Sequence, residues 1–149
     1  MDIIDFLTPE RVVLDARSRD KPHLIGDLAR LFGRLVPELK VETVETALLA
    51  REQLGSTGLG AGFALPHARI EGLSTYLGLF IRLAKPLDFN AIDCKPVQLV
   101  FVLLIPSETV IPHVAALAAI SRRFRDPALT AKLRQAETPA LAYSFLTER

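Results

Sequence analysis

The sequence predicts an α/β fold, a mixed β-sheet flanked by helices on both faces, and three observations carry that prediction. Half of the 149 residues are apolar, enough for a single domain over residues 1–149 with a core that needs neither disulfide nor metal. Val97–Ile105 is an almost unbroken apolar run, which reads as a central strand covered on both faces. Around it, segments of helical periodicity alternate with short runs bounded by turn residues.

Taken in order, Val12-Val-Leu14 reads as a short strand. Ser18 or Asp20 can then cap a helix that carries Leu24, Ile25, Leu28, Leu31, Phe32 and Leu35 at helical spacing, with Pro22 in its first turn. A second helix is expected from about Val41 to Leu54, its apolar stripe formed by Val44, Ala47 and Leu48 and its end set by Gly55. Tyr76–Leu83 reads as a strand, and Val97–Ile105 follows it. The chain closes with a helix starting near Pro112, its stripe read as Val114, Leu117, Ala118, Ser121 and Phe124, and with two shorter helices after Pro127 and Pro139.

Eighteen Lys and Arg against seventeen Asp and Glu leave a net charge of +1. That balance excludes a bulk attraction to nucleic acid or to an anionic membrane, so any anion is bound locally. The only cysteine, Cys94, has no internal partner and is expected in a turn between strands. The N-terminus lacks the pattern of a secretory signal, and a reducing cytoplasm is expected. The longest apolar run falls well short of the ~20 residues of a membrane-spanning helix. No His, Cys, Asp and Glu have the spacing of a metal site, and no cofactor is expected.

Chemistry concentrates in Gly55-Ser-Thr-Gly-Leu-Gly-Ala-Gly-Phe-Ala-Leu-Pro-His67. Gly55 to Gly60 lacks the Lys-Ser/Thr of a P-loop, and Phe63 stands where a dinucleotide fingerprint starting at Gly58 needs glycine. Two readings remain for the glycines. One is a hairpin or loop; the other is a ribbon that aims backbone amides, Gly58 among them, and the hydroxyls of Ser56 and Thr57 at an anion. Pro66 fixes the backbone ahead of His67, whose neutral imidazole is a nucleophile toward phosphorus. Phosphoryl transfer then requires positioning and charge neutralisation. Arg51 lies seven residues after Val44 on the inward stripe, where it either meets an anion or snorkels to carbonyls at the helix end. Arg69 shares a face with His67 if the chain is extended, though Phe63 and Leu65 would share it too. His113 opens a helix, where it either assists a phosphate on His67 or has no partner. His23 is assigned a structural or solvent role.

These residues carry a family resemblance. Arg51-Glu-x-x-Gly-Ser-Thr-Gly-x-Gly-x-Gly-x-Ala-x-Pro-His67-x-Arg69 is similar to the phosphorylation-site signature of the fructose/mannitol-type enzyme IIA of the bacterial phosphotransferase system. Pro86-Leu-Asp-Phe-Asn-Ala-Ile-Asp93, the run Pro96–Pro106 and His113 with its Ala/Leu-rich helix extend the resemblance over nearly the whole chain, most closely to the nitrogen-regulatory branch. The resemblance implies that His67 accepts phosphate, through Nε2, from the phosphohistidine of an HPr-type carrier. It also implies that Arg51 stabilises phosphate and that His113 is the second active-site histidine. Ala68 departs from the family, which commonly has glycine there. Three functions follow as expectations: a regulatory carrier acting by phosphorylation-dependent binding to target proteins, a sugar-specific enzyme IIA passing phosphate to a cysteine of a separate IIB domain, and a phosphate-sensing binding module without covalent chemistry.

Overall fold

A computed structural model describes residues 2–108 and 113–148. Two 3-10 turns, Ile3–Asp5 and Pro9–Arg11, lead into β1 (Val12–Ala16), α1 (Lys21–Leu35), α2 (Val41–Leu54), β2 (Gly58–Gly60), β3 (Phe63–Ala64) and β4 (His67–Ile70). The long strands β5 (Leu77–Leu87) and β6 (Val97–Pro106) follow, and α3 (Val114–Phe124), α4 (Pro127–Gln135) and α5 (Pro139–Thr147) complete the chain. The start predicted near Pro112 lies outside the described residues; the described helix begins at Val114.

Side-chain capping and proline placement account for most of the helix boundaries. Asp20 caps α1 by accepting from the backbone N–H of His23, so of the two predicted caps it is Asp20 that serves. Pro127 and Pro139 open α4 and α5 at the position where a missing N–H costs nothing, behind the caps Asp126 and Thr138. Gly55 terminates α2 as expected.

The sheet runs β1-β5-β6-β3-β2, with β4 also paired to β6. It is mixed: β1 is parallel to β5, β5 antiparallel to β6, and β3 and β4 both parallel to β6. Phe63 faces Leu99 and His67 faces Leu103, the same offset, so β3 and β4 are one line of chain interrupted at Leu65-Pro66 without a slip in register. Pro66 has no N–H to give, but its carbonyl still accepts from Leu103.

Alternation along the strands divides the core in two. Phe63, Leu65, Phe80, Phe101 and Leu103 pack under α3, α4 and α5, while Ala64, Ala68, Ile81, Val100 and Val102 pack against α1 and α2. β6 is buried along almost its whole length, as its composition predicts.

One predicted stripe is corrected. On α3 the buried residues are Ala116, Ala119, Ile120 and Phe124, whereas Val114 is 64% exposed and Ala118 is exposed. Val-Ala-Ala-Leu-Ala-Ala-Ile is apolar on every side, so periodicity could not choose the face. Packing chose it: Phe124 stacks on Phe63 with ring centroids 4.1 Å apart and parallel rings.

A buried cation ties the sheet to the C-terminal layer. Arg82 on β5, 7% exposed, donates through Nη1 to the carbonyls of Leu133 (2.9 Å) and Ala136 (2.6 Å) at the end of α4, and through Nη2 to Asp15 (3.0 Å). The carbonyls that a helix C-terminus leaves unpaired thus receive a charged donor.

Candidate functional site

His67 sits where the two helical layers meet at one end of the sheet. Its odd-numbered position places it on the α3–α5 face with Phe63, Leu65 and Arg69, as the sequence predicts for an extended segment. Phe63 and Leu65 are covered on that face, while His67 is half-buried and Arg69 exposed, so the shared face does not blur the site.

The hydrogen bonds define the imidazole's tautomer. Nδ1 lies 2.8 Å from the carbonyl oxygen of Leu65, which can only accept, so Nδ1 carries the proton. Nε2 lies 3.3 Å from Nε of Arg51, which can only donate, so Nε2 presents its lone pair. Arg51 arrives from α2 on the opposite layer and also gives Nη1 to the carbonyl of Gly55 at 2.9 Å. The carbonyl reading of Arg51 is what the hydrogen bonds show, and the same side chain also faces the His67 ring.

Burial pushes the His67 pKa below the ordinary value of 6.5, the Leu65 carbonyl offsets this by holding the Nδ1 proton, and the charge of Arg51, joined by that of His113 when protonated, pushes it further down. Neutral imidazole is thus the form held near pH 7. Titrating the His67 ring by NMR is expected to give a midpoint below the ordinary value of 6.5, and Arg51→Ala is expected to raise it by removing a repelling cation. The unfolded chain takes up this proton more readily, so His67 erodes stability as pH falls from 6.5 toward its folded value.

His113 stands immediately before α3 and lies close enough for its charge to act on His67. Its Nδ1 is 3.0 Å from Nη2 of Arg69, whose other terminal nitrogen donates to the carbonyl of Ser107 at 3.2 Å. Because Arg69 donates, His113 holds its own proton on Nε2 and can offer that N–H to an anion. Arg69, expected on phosphate, is placed beside His113 and braces it.

The glycine segment forms a hairpin, β2 to β3, turned at Ala61 and Gly62, both with positive φ. A Cβ on Gly58 would come within 2.8 Å of Ala91 Cβ, so this glycine permits close approach of the 88–96 loop. The expectation that Ser56, Thr57 and Gly58 face a phosphate is revised. The backbone N–H and hydroxyl of Thr57 both bond the carboxylate of Glu52, the Ser56 hydroxyl donates to the Phe89 carbonyl, and the Gly58 N–H donates to Ser56 Oγ. The ribbon does gather donors around an anion, and that anion is a side chain of the protein itself.

Glu52 was missed by the sequence reading although it stands inside the signature beside Arg51. Its carboxylate is buried and also takes Lys21 Nζ at 3.0 Å, which in turn reaches the Phe89 carbonyl. The only sequence signal was an acidic residue next to a glycine run, and its partners come from distant segments. Cys94 lies exposed in a turn, as expected, with φ of 61°. Among the described residues no group of His, Cys, Asp and Glu could hold a metal ion, and no helix is long and apolar enough to cross a membrane.

A neutral ring with a fixed tautomer, an arginine at its Nε2 and a second histidine near it are brought together on a mixed sheet between helices. The chain belongs to the family described as "Phosphoenolpyruvate-dependent sugar phosphotransferase system, EIIA 2", which it matches over residues 5–149. It is 37% identical to a nitrogen regulatory protein of Bradyrhizobium diazoefficiens, over 98% of this chain and 95% of that protein. It is 36% identical to the PTS system fructose-specific EIIA component of Haloferax volcanii, over 99% and 98% of the two chains. The crystal structure of nitrogen regulatory protein IIA-Ntr from Neisseria meningitidis superposes with a TM-score of 0.90 at 34% identity, covering 97% of this chain and 99% of that one. The resemblance read from Arg51 to Arg69 and the fold class read from the sequence both stand.

Proposed function

We propose that this chain is a phosphohistidine carrier that accepts a phosphoryl group on His67 from an HPr-type protein and signals by binding regulated proteins differently in its two states. The observation that carries this reading is the tautomer of His67: the Leu65 carbonyl holds the Nδ1 proton and leaves Nε2 free beside Arg51. In the step itself the Nε2 lone pair forms the new N–P bond while the carrier's N–P bond breaks, its electron pair leaving on the carrier's ring. The proton stays on Nδ1, hydrogen-bonded to the Leu65 carbonyl. Arg51 neutralises charge on the phosphoryl oxygens, and the Nε2–H of His113, braced by Arg69, offers a further donor.

The two sites that the sequence alone left open, Arg51 and His113, are supported by their placement around one ring from two different layers. Ser56, Thr57 and Gly58 contribute indirectly, by holding the ribbon in place through Glu52 and Phe89. Arg51→Ala is expected to slow phosphorylation ~100-fold with the fold intact. Single-turnover rates with a phosphorylated carrier, alongside circular dichroism, check this; equal rates would refute the role.

Supporting the regulatory assignment are the nitrogen regulatory relatives. A sugar-specific enzyme IIA that passes phosphate to a IIB cysteine is the second reading, favoured by the nearly equal identity to the fructose-specific protein. The test is incubation with phosphoenolpyruvate, enzyme I and an HPr-type carrier, followed by intact mass at alkaline pH. An unmodified protein under conditions that phosphorylate a control enzyme IIA would eliminate the carrier reading and leave a non-covalent phosphate sensor. Phosphate flow onward to a sugar through any IIB would sink the purely regulatory version.

A further inference from the structure

A cleft of about 790 Å³ opens between β1, at the edge of the sheet, and α1, in a part of the molecule with no role in the chemistry above. Its floor is apolar, formed by Val13 and Ile81 from the sheet, Leu31 from α1 and Val41 at the start of α2. Its rim is cationic, with Arg17, Arg30 and Arg34. The one carboxylate in the lining, Asp27, is already engaged by Arg30 and by the Ser18 hydroxyl at 2.7 Å. Arg17 and Arg34 have no acidic partner among the described residues, and Arg19 and Lys85 add positive charge beside Arg17.

An apolar floor with two free guanidinium groups at its mouth is complementary to a molecule that has an apolar body and an anionic head. The volume lies within the ~300–1,000 Å³ typical of small-molecule sites. A partner strand added to the edge is disfavoured. Asp15 bulges out of β1 with φ of 59°, and the pairing with β5 shifts register between Val13 and Ala16, which breaks the row of groups a new strand would need.

We infer that the cleft between β1 and α1 binds a soluble organic anion, its apolar body on Val13, Leu31, Val41 and Ile81 and its carboxylate or phosphate head on Arg17 and Arg34. The cleft touches the first residue of α2, whereas Arg51 lies ten residues further along that helix, about 15 Å away at ~1.5 Å per residue. The two sites are therefore open to occupation at once, and the cleft is independent of the reading given to His67.

The test uses the full chain with labelled methyl groups and sodium decanoate as probe, followed by NMR. Decanoate is expected to shift the methyls of Val13, Leu31, Val41 and Ile81 with a Kd of ~1 mM or below. Decyltrimethylammonium, with the same tail and a cationic head, and acetate, with the head alone, are expected to leave them unmoved. The R17E/R34E protein is expected to bind decanoate at least ~10-fold more weakly, with R17Q/R34Q intermediate and the remaining methyl spectrum preserved in both. His67→Ala is expected to bind as wild type does. Equal binding of decyltrimethylammonium or of acetate would overturn the inference, as would decanoate shifts that map elsewhere. A glutamate-rich peptide that occupies the cleft more tightly than decanoate would overturn it in favour of a protein segment. Retention on phosphatidylglycerol vesicles, abolished by R17E/R34E, would overturn the soluble ligand in favour of a lipid headgroup.

Discussion

Supplied with phosphoenolpyruvate, enzyme I and an HPr-type carrier, the His67→Ala protein is expected to gain no phosphate over a period in which the wild type is fully labelled. Only three histidines exist to compete for the role. His23 shares the useful tautomer, its Nδ1 bonded to Asp20, but it is exposed and its ion-pair partner is a carboxylate. The lone pair of His113 sits on Nδ1 and is engaged by Arg69. His67 alone combines an unprotonated Nε2, an arginine at that nitrogen through a long 3.3 Å contact and a burial that keeps the ring neutral. His113→Ala should still take up phosphate, more slowly, because it removes a donor and not the nucleophile. Intact mass at alkaline pH reads both outcomes, and labelling of His67→Ala at the wild-type rate would remove the site from His67.

Arg82→Met is expected to produce a large loss of stability. The guanidinium is buried, and its Nη1 serves the Leu133 and Ala136 carbonyls. Methionine fills similar space but leaves those carbonyls buried without a donor, a loss of ~3 kcal/mol. For a chain of this length that lowers Tm by ~6–12 °C. Asp15→Asn is the informative companion. The Asp15 side chain is 69% exposed, so its ion pair with Arg82 is screened and its removal should cost under ~1 kcal/mol. Thermal melts that place the two variants together would mean that Arg82 acts through the ion pair and not through the helix end.

How far the sequence could be read depended on the range of the interactions involved. The α2 boundaries were legible because an apolar stripe and a terminal glycine are local signals, and Arg51 stood out because it broke that stripe. β6 was legible because its composition leaves no polar face. The face of α3 was not, since alanine and leucine surround the helix and only the position of Phe63 and Phe101 in the sheet decides which side turns inward. Nothing local marks Arg82 within its strand, since its carbonyl partners lie at the end of a helix some fifty positions later. Glu52 escaped notice and Arg69 was ambiguous for the same reason: one is explained by Lys21 and Thr57, the other by His113, and each pairing exists only once the chain has folded.

The carboxylate of Glu52 within the Thr57 turn also has a thermodynamic consequence. A loop that turned its amides and hydroxyls on an incoming phosphate would clasp it, and a group so clasped becomes a poor donor. Here those contacts are saturated by the protein's own carboxylate, so a phosphoryl group on His67 would meet little beyond Arg51 and the His113 pair. On the reading proposed above, such sparse solvation keeps the N–P bond energetic and the cargo transferable, and the loop's contribution is to withhold binding energy where a phosphate receptor would supply it.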